Sequence, residues 1–133
     1  MLKWIALAVG AALLAACNPV TQKQDARAQI DLFHERLDAG EVRTIYSNTH
    51  QEFREVTPLE DWTRTLSIIR RSLGQVQDTE QVGFHVKSGI GGTITTVHME
   101  TRFEKGCGLE SFVFKGSGAS MRMVVYNLES SDL

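Results

Sequence analysis

The sequence predicts an α+β domain in which N-terminal helices pack on a curved antiparallel sheet of about four strands. In the first half of the chain, apolar residues recur at intervals of three and four, whereas from Gln75 onward they recur at intervals of two. Glycine-rich segments separate the runs of period two. Helices followed by consecutive strands are the order typical of an α+β fold.

The first predicted helix begins at Thr21, because residues 21–24 have the form of a capping box. Its apolar stripe consists of Ala26, Ile30, Phe33 and Leu37. Gly40 is the expected stop, since glycine readily adopts a left-handed C-cap. A shorter helical piece is predicted around Ile45, and the segment through His50 and Phe53 is expected to be irregular.

The second long helix is predicted from a capping box at residues 57–60, with Pro58 at the first helical position. Its apolar stripe consists of Leu59, Trp62, Leu66, Ile69 and Leu73. Arg70 and Arg71 complement the negative end of the helix dipole, and Gly74 is the expected stop. Aromatic residues at helical spacing are typical of a core, and we assign Phe33, Tyr46 and Trp62 to it.

The second half of the chain predicts four strands. The first two form a hairpin around a turn at residues 88–92. Their alternating residues are Val82, Phe84 and Val86, then Val97, Met99, Thr101 and Phe103. A turn at residues 105–108 leads to a third strand marked by Phe112 and Phe114, and residues 121–128 form the fourth.

The N-terminus predicts a bacterial lipoprotein signal peptide. Lys3 precedes a thirteen-residue apolar run, residues 4–16, which is too short for a permanent membrane helix and has the length of a signal h-region. Residues 14–17, Leu-Ala-Ala-Cys, form a lipobox: small residues precede the cleaved bond, and the Cys17 thiol can take a thioether-linked lipid. The alternative is an ordinary secretory signal with a chance cysteine.

These features divide the chain into a signal peptide at residues 1–16, a lipidated Cys17 with a short tether through residue 20, and one α+β domain at residues 21–133. Removing the signal leaves 117 residues, a length that suits one core.

The mature chain has a net charge of about −3 and no basic stripe, which disfavours nucleic acid as a partner. No cofactor is predicted. Cys107 lies in a predicted turn. Its thiol has either a redox or intermolecular role, or no chemical role beyond that of an ordinary turn residue.

Asp78 and Glu80 are weak catalytic candidates. They share strand parity with Val82 and Phe84, so they face the helices if no bulge intervenes, and a carboxylate buried there can act as a general base. The alternative is a solvated strand start or a bulge.

Charged residues are expected on the opposite, solvated face of the sheet. The set is His98, Glu100, Arg102 and Glu104, extended by Glu110 and Arg122 if the register allows. This face is either a docking surface or a solvated surface with weak cross-strand ion pairs.

His85 and His98 are expected on the same face, without the third ligand that a metal site needs. His34 and His50 have no nearby nucleophile motif, so no catalytic triad is predicted.

The order of elements resembles the nuclear transport factor 2-like (cystatin-like cone) superfamily, and especially its small bacterial lipoproteins of unknown function. The similar residues are Phe33, Leu37, Ile45, Tyr46, Phe53, Arg54, Leu73, Gly74, Phe103, Glu110 and Tyr126. The resemblance implies a cone-shaped sheet. Related enzymes, similar to ketosteroid isomerases and polyketide cyclases, use a carboxylate or histidine inside the cone, and this sequence offers no clear match to that residue.

Three hypotheses about function follow. The first is a noncatalytic envelope lipoprotein that binds a partner protein or a small apolar ligand through the cone or the outer sheet face. The second is a small lyase or isomerase with Asp78 or Glu80 as the base, and the third is a structural homodimer paired through the sheet face. The lipid on Cys17 predicts a membrane-anchored, periplasm-facing protein, and Asn18 favours the outer membrane.

Overall fold

A computed structural model describes residues 19–133, in which helices come first and strands follow. The helices are α1 (Pro19–Ala39), α2 (Val42–Ser47), α3 (Gln51–Val56) and α4 (Leu59–Leu73). The strands are β1 (Val76–Gly89), β2 (Gly92–Phe103), β3 (Gly106–Lys115) and β4 (Arg122–Glu129), with a short 3-10 turn at Gly118–Ser120. The predicted α+β fold is confirmed. The signal peptide and Cys17 lie outside the described residues.

The four strands form one antiparallel sheet in the order β1-β2-β3-β4, so β1 and β4 are its edges. Alternate residues of each strand point toward the helices, and these define the inner face of the sheet. The apolar stripes of α1 and α4 pack on this face and make one core. Its members from the helices are Ala26, Ile30, Phe33, Leu37, Ile45, Phe53, Trp62, Leu66, Ile69 and Leu73. Its members from the sheet side are Val97, Met99, Phe103, Phe112, Phe114, Met121 and Met123.

Neither long helix follows the predicted capping box. The structure describes helix α1 from Pro19, so Thr21 lies within the helix and does not cap its start. Helix α4 has Pro58 as its N-cap without a side-chain cap, because Thr57 instead ends α3, where its N–H donates to the Phe53 carbonyl at 2.9 Å.

The segment predicted to be irregular is helix α3. His50 caps it, since its Nδ1 accepts a hydrogen bond from the Glu52 N–H at 3.1 Å. The His50 N–H donates to the Met123 carbonyl at 2.8 Å, which ties the start of α3 to β4. The predicted helix stops are confirmed: α1 ends before Gly40, which has a φ of 75°, and α4 ends before Gly74.

Within residues 19–133, the space between the helices and the inner face of the sheet is filled by the core. One small cavity of about 30 Å³ lies between α1, α2 and the sheet, bordered by Phe33, Ile45, Phe112, Phe114 and Met123 among others. This volume suits about one water molecule, whereas ligand pockets are usually about 300–1,000 Å³. Within residues 19–133, none of the helices has both the length and the apolar character needed to cross a membrane.

Candidate functional site

A buried cluster of polar side chains lies between α1 and the inner face of the sheet. Its centre is Glu110 on β3, which is fully buried. Glu110 lies opposite Met99 of β2 in the register, and it shares the inner face with Phe112 and Phe114. Glu110 was expected to extend the charged set of the outer face if the register allowed, and this expectation is wrong because the strand alternation turns Glu110 inward.

Three hydrogen-bond donors from three different elements converge on this carboxylate. His34 Nε2 on α1 lies 2.7 Å from Oε1, and the Thr101 hydroxyl on β2 donates to the same oxygen. The Tyr126 hydroxyl on β4 donates to Oε2 at 2.6 Å. Thr101 in turn pairs with the Thr79 hydroxyl of β1 at 2.7 Å, so the cluster reaches every strand of the sheet.

The surroundings of Glu110 favour a structural role for this cluster. Both carboxylate oxygens are occupied, and a carboxylate without this set of donors would be costly to bury. The small internal cavity is bordered by Phe112 and Phe114 but not by Glu110. A general base needs room for a substrate within hydrogen-bond reach. The arrangement therefore fixes the position of α1 on the sheet.

Tyr126 is the member of the cluster whose pKa is clearly shifted from its usual value. Burial, the charge of Glu110 and the hydrogen bond to Glu110 together raise the pKa of Tyr126 well above its usual range. At neutral pH both the folded and the unfolded chain keep the phenol proton. Above about pH 10 the unfolded chain loses this proton first, so the stability of the fold decreases as the pH rises.

We therefore expect Tyr126→Phe to flatten the alkaline loss of stability. The contribution of Tyr126 is up to about 1.4 kcal/mol of unfolding free energy per pH unit above pH 10. Urea unfolding at a series of alkaline pH values measures the slope, and Tyr46→Phe is the matched control because it leaves the cluster intact. Equal slopes for the wild type and Tyr126→Phe would contradict the expected role of this hydroxyl.

The structure places both weak catalytic candidates on the outside. Asp78 and Glu80 are exposed and lie opposite Arg102 and Glu100 on the outer face of the sheet. The bulge alternative applies, because the register shifts between Val76 and Asp78 and such a bulge reverses the parity of the residues that follow. A second shift, between Gln81 and Gly83, leaves Val82 half exposed.

The outer sheet face, which we define as the side away from the helices, carries most of the predicted charged set. Glu100 and Arg102 are exposed there, and His98 is half-buried with its Nδ1 at 2.9 Å from the Ser111 hydroxyl. Glu104 does not belong to this face, because β2 ends at Phe103 and the Glu104 carboxylate accepts the Gln75 N–H at 2.6 Å.

The two remaining predictions about side chains concern metal ligands and Cys107. In the part of the chain that the structure describes, His, Cys, Asp and Glu side chains form no group of three or more that could hold a metal ion. His85 is exposed on β1. Cys107 is an exposed free thiol at the start of β3, and its carbonyl accepts a hydrogen bond from the Ser130 hydroxyl at 2.6 Å.

Arg122 lies at the edge of the sheet, opposite Lys115. Its guanidinium donates to the Ala119 and Met121 carbonyls at 3.0 and 2.9 Å, so this side chain braces the turn before β4. Arg122 is therefore occupied by its own turn and does not extend the row of charges on β2.

Comparison with known proteins identified no related protein. No protein-family model matches the chain, and no curated protein matches it. His34 and Tyr126 were not predicted as partners of Glu110. One signal for the cluster was present, since Glu110 has the same parity as Phe112 and Phe114 in the third predicted strand.

Proposed function

We propose that this chain is a noncatalytic lipoprotein of the bacterial cell envelope, anchored through Cys17, whose α+β domain binds a partner protein through its outer sheet face. The observation that carries the proposal is the contrast between the two faces of the sheet. The inner face is covered by the core and the Glu110 cluster, while none of the helices in residues 19–133 packs its core residues on the outer face. Membership of the nuclear transport factor 2-like superfamily remains part of the proposal.

The anchoring proposal rests on the lipobox and on the short distance to the domain. Helix α1 begins at Pro19, two residues after Cys17. Acyl chains contribute about 0.8 kcal/mol for each buried methylene, so several chains on one cysteine would hold the protein on the membrane durably. Asn18 supports the outer membrane, with the domain facing the periplasm.

The filled interior supports a partner on the outside of the domain rather than a ligand inside it. A cavity of about 30 Å³ is far smaller than a pocket for an apolar ligand. The lyase or isomerase alternative is also disfavoured, because Glu110 borders none of the cavities found among residues 19–133. Asp78 and Glu80, the bases proposed for that alternative, are exposed to solvent.

The chemistry of the outer sheet face indicates what kind of partner it fits. Val113 lies opposite Val125, which is 47% exposed, so the middle of the face near β4 is aliphatic. Toward β1 it is flanked by Asp78, Glu80 and Glu100, with Arg102 opposite Asp78, which leaves an excess of negative charge. Charge complementarity steers association and selects partners. We therefore propose a partner whose surface has an apolar centre and a basic flank.

A second copy of the chain fits this face poorly. Gln22 on α1 donates to the Thr95 hydroxyl at 2.8 Å and to the Gly116 carbonyl at 3.1 Å, so α1 begins at the end of the sheet away from Asp78. Two copies anchored to one bilayer would be related by an axis along the membrane normal. The acidic ends would then meet each other, and like charges in an interface are unfavourable.

The anchoring is tested by acyl labelling of the wild type beside Cys17→Ser in bacterial cells. We expect label and membrane association in the wild type, and loss of both in Cys17→Ser. Cys107→Ser is the matched control because it removes the other cysteine. Equal label in the wild type and Cys17→Ser would contradict the lipoprotein proposal.

The docking surface is tested by photo-crosslinking in cells from a reactive residue at Asn127, which is exposed on the outer face, with Glu35 on α1 as the control position. We expect a discrete heterologous adduct from position 127 only. The double change Glu80→Lys and Glu100→Lys should abolish it, and Glu35→Lys should not. An adduct of twice the chain mass would support the homodimer instead, and equal adducts from both positions would contradict a specific surface.

A further inference from the structure

The turn between β1 and β2 presents an unusual apolar tip. Ile90 is completely exposed, and it lies between Gly89 and Gly91, at which an added Cβ atom would meet nothing within 4 Å. A single exposed aliphatic residue needs no explanation by itself. The position of this tip relative to the start of α1, however, indicates a role for the exposed side chain.

The tip and the start of α1 lie at the same end of the molecule, which we name the hairpin end. Gln22 joins α1 to Thr95 near the start of β2. From Thr95 to Gly92 the strand advances by about 10 Å toward the tip. From Gln22 back to Pro19 the helix advances by about 4.5 Å in the same general direction. The tip therefore projects at least as far as Pro19, the first residue of α1 that the structure describes.

The charges of the domain are divided between its two ends. Lys23 and Lys87 are exposed at the hairpin end, and the Lys23 ammonium lies 5.8 Å from the centre of the Phe84 ring. Lys115 also lies there, in an ion pair with Glu52 of α3 at 2.7 Å. Within residues 19–133, neither Lys23 nor Lys87 takes part in an ion pair.

The far end of the sheet is acidic. The exposed carboxylates at this end are Asp78, Glu80, Glu100, Glu104, Glu129 and Asp132. The exposed basic residues at this end are fewer: Arg102 and Lys105 on the sheet side, and Arg70 and Arg71 in the last turn of α4. The domain therefore has an apolar tip, with two lysines that form no ion pair within residues 19–133, at the end nearest to the proposed anchor, and an excess of carboxylates at the opposite end.

We propose that the hairpin end is a membrane-contact surface, in which Ile90 enters the interfacial region of the bilayer and Lys23 and Lys87 meet anionic headgroups. This inference rests on the proposed anchoring at Cys17, which brings the chain to the bilayer two residues before α1. An apolar side chain in such a contact lies about 5–10 Å into the boundary between headgroups and acyl chains. Lysines near the surface are attracted to anionic lipid. The contact holds the acidic end and the outer sheet face away from the membrane.

The experiment uses the full, lipidated chain in vesicles of phosphatidylcholine and phosphatidylglycerol that contain a lipid with a spin-labelled acyl chain. An environment-sensitive fluorophore is attached at position 90 in the double variant Ile90→Cys, Cys107→Ser, and at the native Cys107 in a separate sample. Cys107 is a matched control, because it is exposed at the opposite end of the sheet. Flotation and the mass of the N-terminal peptide establish anchoring in both samples.

We expect the fluorophore at position 90 to be quenched about twofold or more by the spin-labelled lipid, because it lies within the interfacial layer, and the fluorophore at Cys107 to remain unquenched. Lys23→Glu with Lys87→Glu should reduce the quenching at position 90, whereas Lys105→Glu at the far end should not.

An unquenched position 90 in a chain that floats with the vesicles overturns the membrane contact and leaves the anchoring intact. Equal quenching at both positions overturns the orientation. A chain that does not float, with an unmodified Cys17, overturns the anchoring and this inference together.

Discussion

Replacing Glu110 with alanine is expected to lower the free energy of unfolding by about 3–5 kcal/mol. The carboxylate is fully buried and accepts hydrogen bonds from Thr101 and Tyr126, with His34 Nε2 at 2.7 Å. Its removal leaves these donors buried without an acceptor and opens a cavity between α1 and β3. A domain of this size is stable by only about 5–15 kcal/mol. Urea unfolding, followed by circular dichroism, measures the change.

Glu100→Ala is the matched control for this prediction. Glu100 is the same residue type on the neighbouring strand, but it is exposed on the outer sheet face, so we expect a change within about 0.5 kcal/mol. If Glu110→Ala does not fold, Glu110→Gln keeps the volume and one acceptor oxygen, and it should lose about 1–3 kcal/mol. A loss below about 1 kcal/mol for Glu110→Ala would show that the cluster does not hold α1 on the sheet.

A double-mutant cycle separates the pairing with His34 from the rest of the cluster. His34→Ala and Glu110→Ala, alone and together, should give a coupling of about 1–3 kcal/mol, because the two side chains contact each other directly. A coupling near zero would mean that Glu110 is held by Thr101 and Tyr126 without a contribution from α1.

The two long helices and the four strands were predictable because each combines a regular apolar period with a clear stop. The stripe of α4, for example, ends at Leu73, and Gly74 follows with a positive φ of 78° that few other residues adopt. Helix α3 was not predictable from its six residues. A helix this short is stabilised by its surroundings, here by the His50 cap and the hydrogen bond from His50 to Met123, which joins residues distant in sequence.

The positions of the carboxylates were predicted less well, for two different reasons. Glu110 was assigned by residue type, since a charged residue is rarely buried without partners, although its parity with Phe112 pointed inward. Its partners come from α1, β2 and β4, and no local pattern brings them together. For Asp78, parity pointed inward unless a bulge intervened, and the register shift before it is that bulge. Nothing in the local sequence at Gln77 signals a bulge, whereas Gly83 at the second shift is a residue often found in bulges.

Replacing Phe112 with alanine is expected to cost about 3–5 kcal/mol, because it removes a fully buried aromatic ring from the centre of the core. Phe112 packs edge-on against Phe33 at 5.3 Å between ring centres and lies 5.1 Å from the ring of Tyr126. Thermal and urea unfolding measure the loss. Val82→Ala is the control: Val82 is 50% exposed on β1, so the expected change is within about 0.5 kcal/mol.

The same variant tests whether the interior excludes ligands because it is filled. Phe112 borders the internal cavity of about 30 Å³, so its truncation should enlarge that cavity toward the size, about 150 Å³, at which an apolar cavity binds benzene. Benzene should then raise the unfolding temperature of Phe112→Ala and leave the wild type unchanged, since a ligand stabilises only the state that binds it. Stabilisation of the wild type by benzene would show that the native interior has room for an apolar ligand, and it would move the binding site from the outer sheet face to the core.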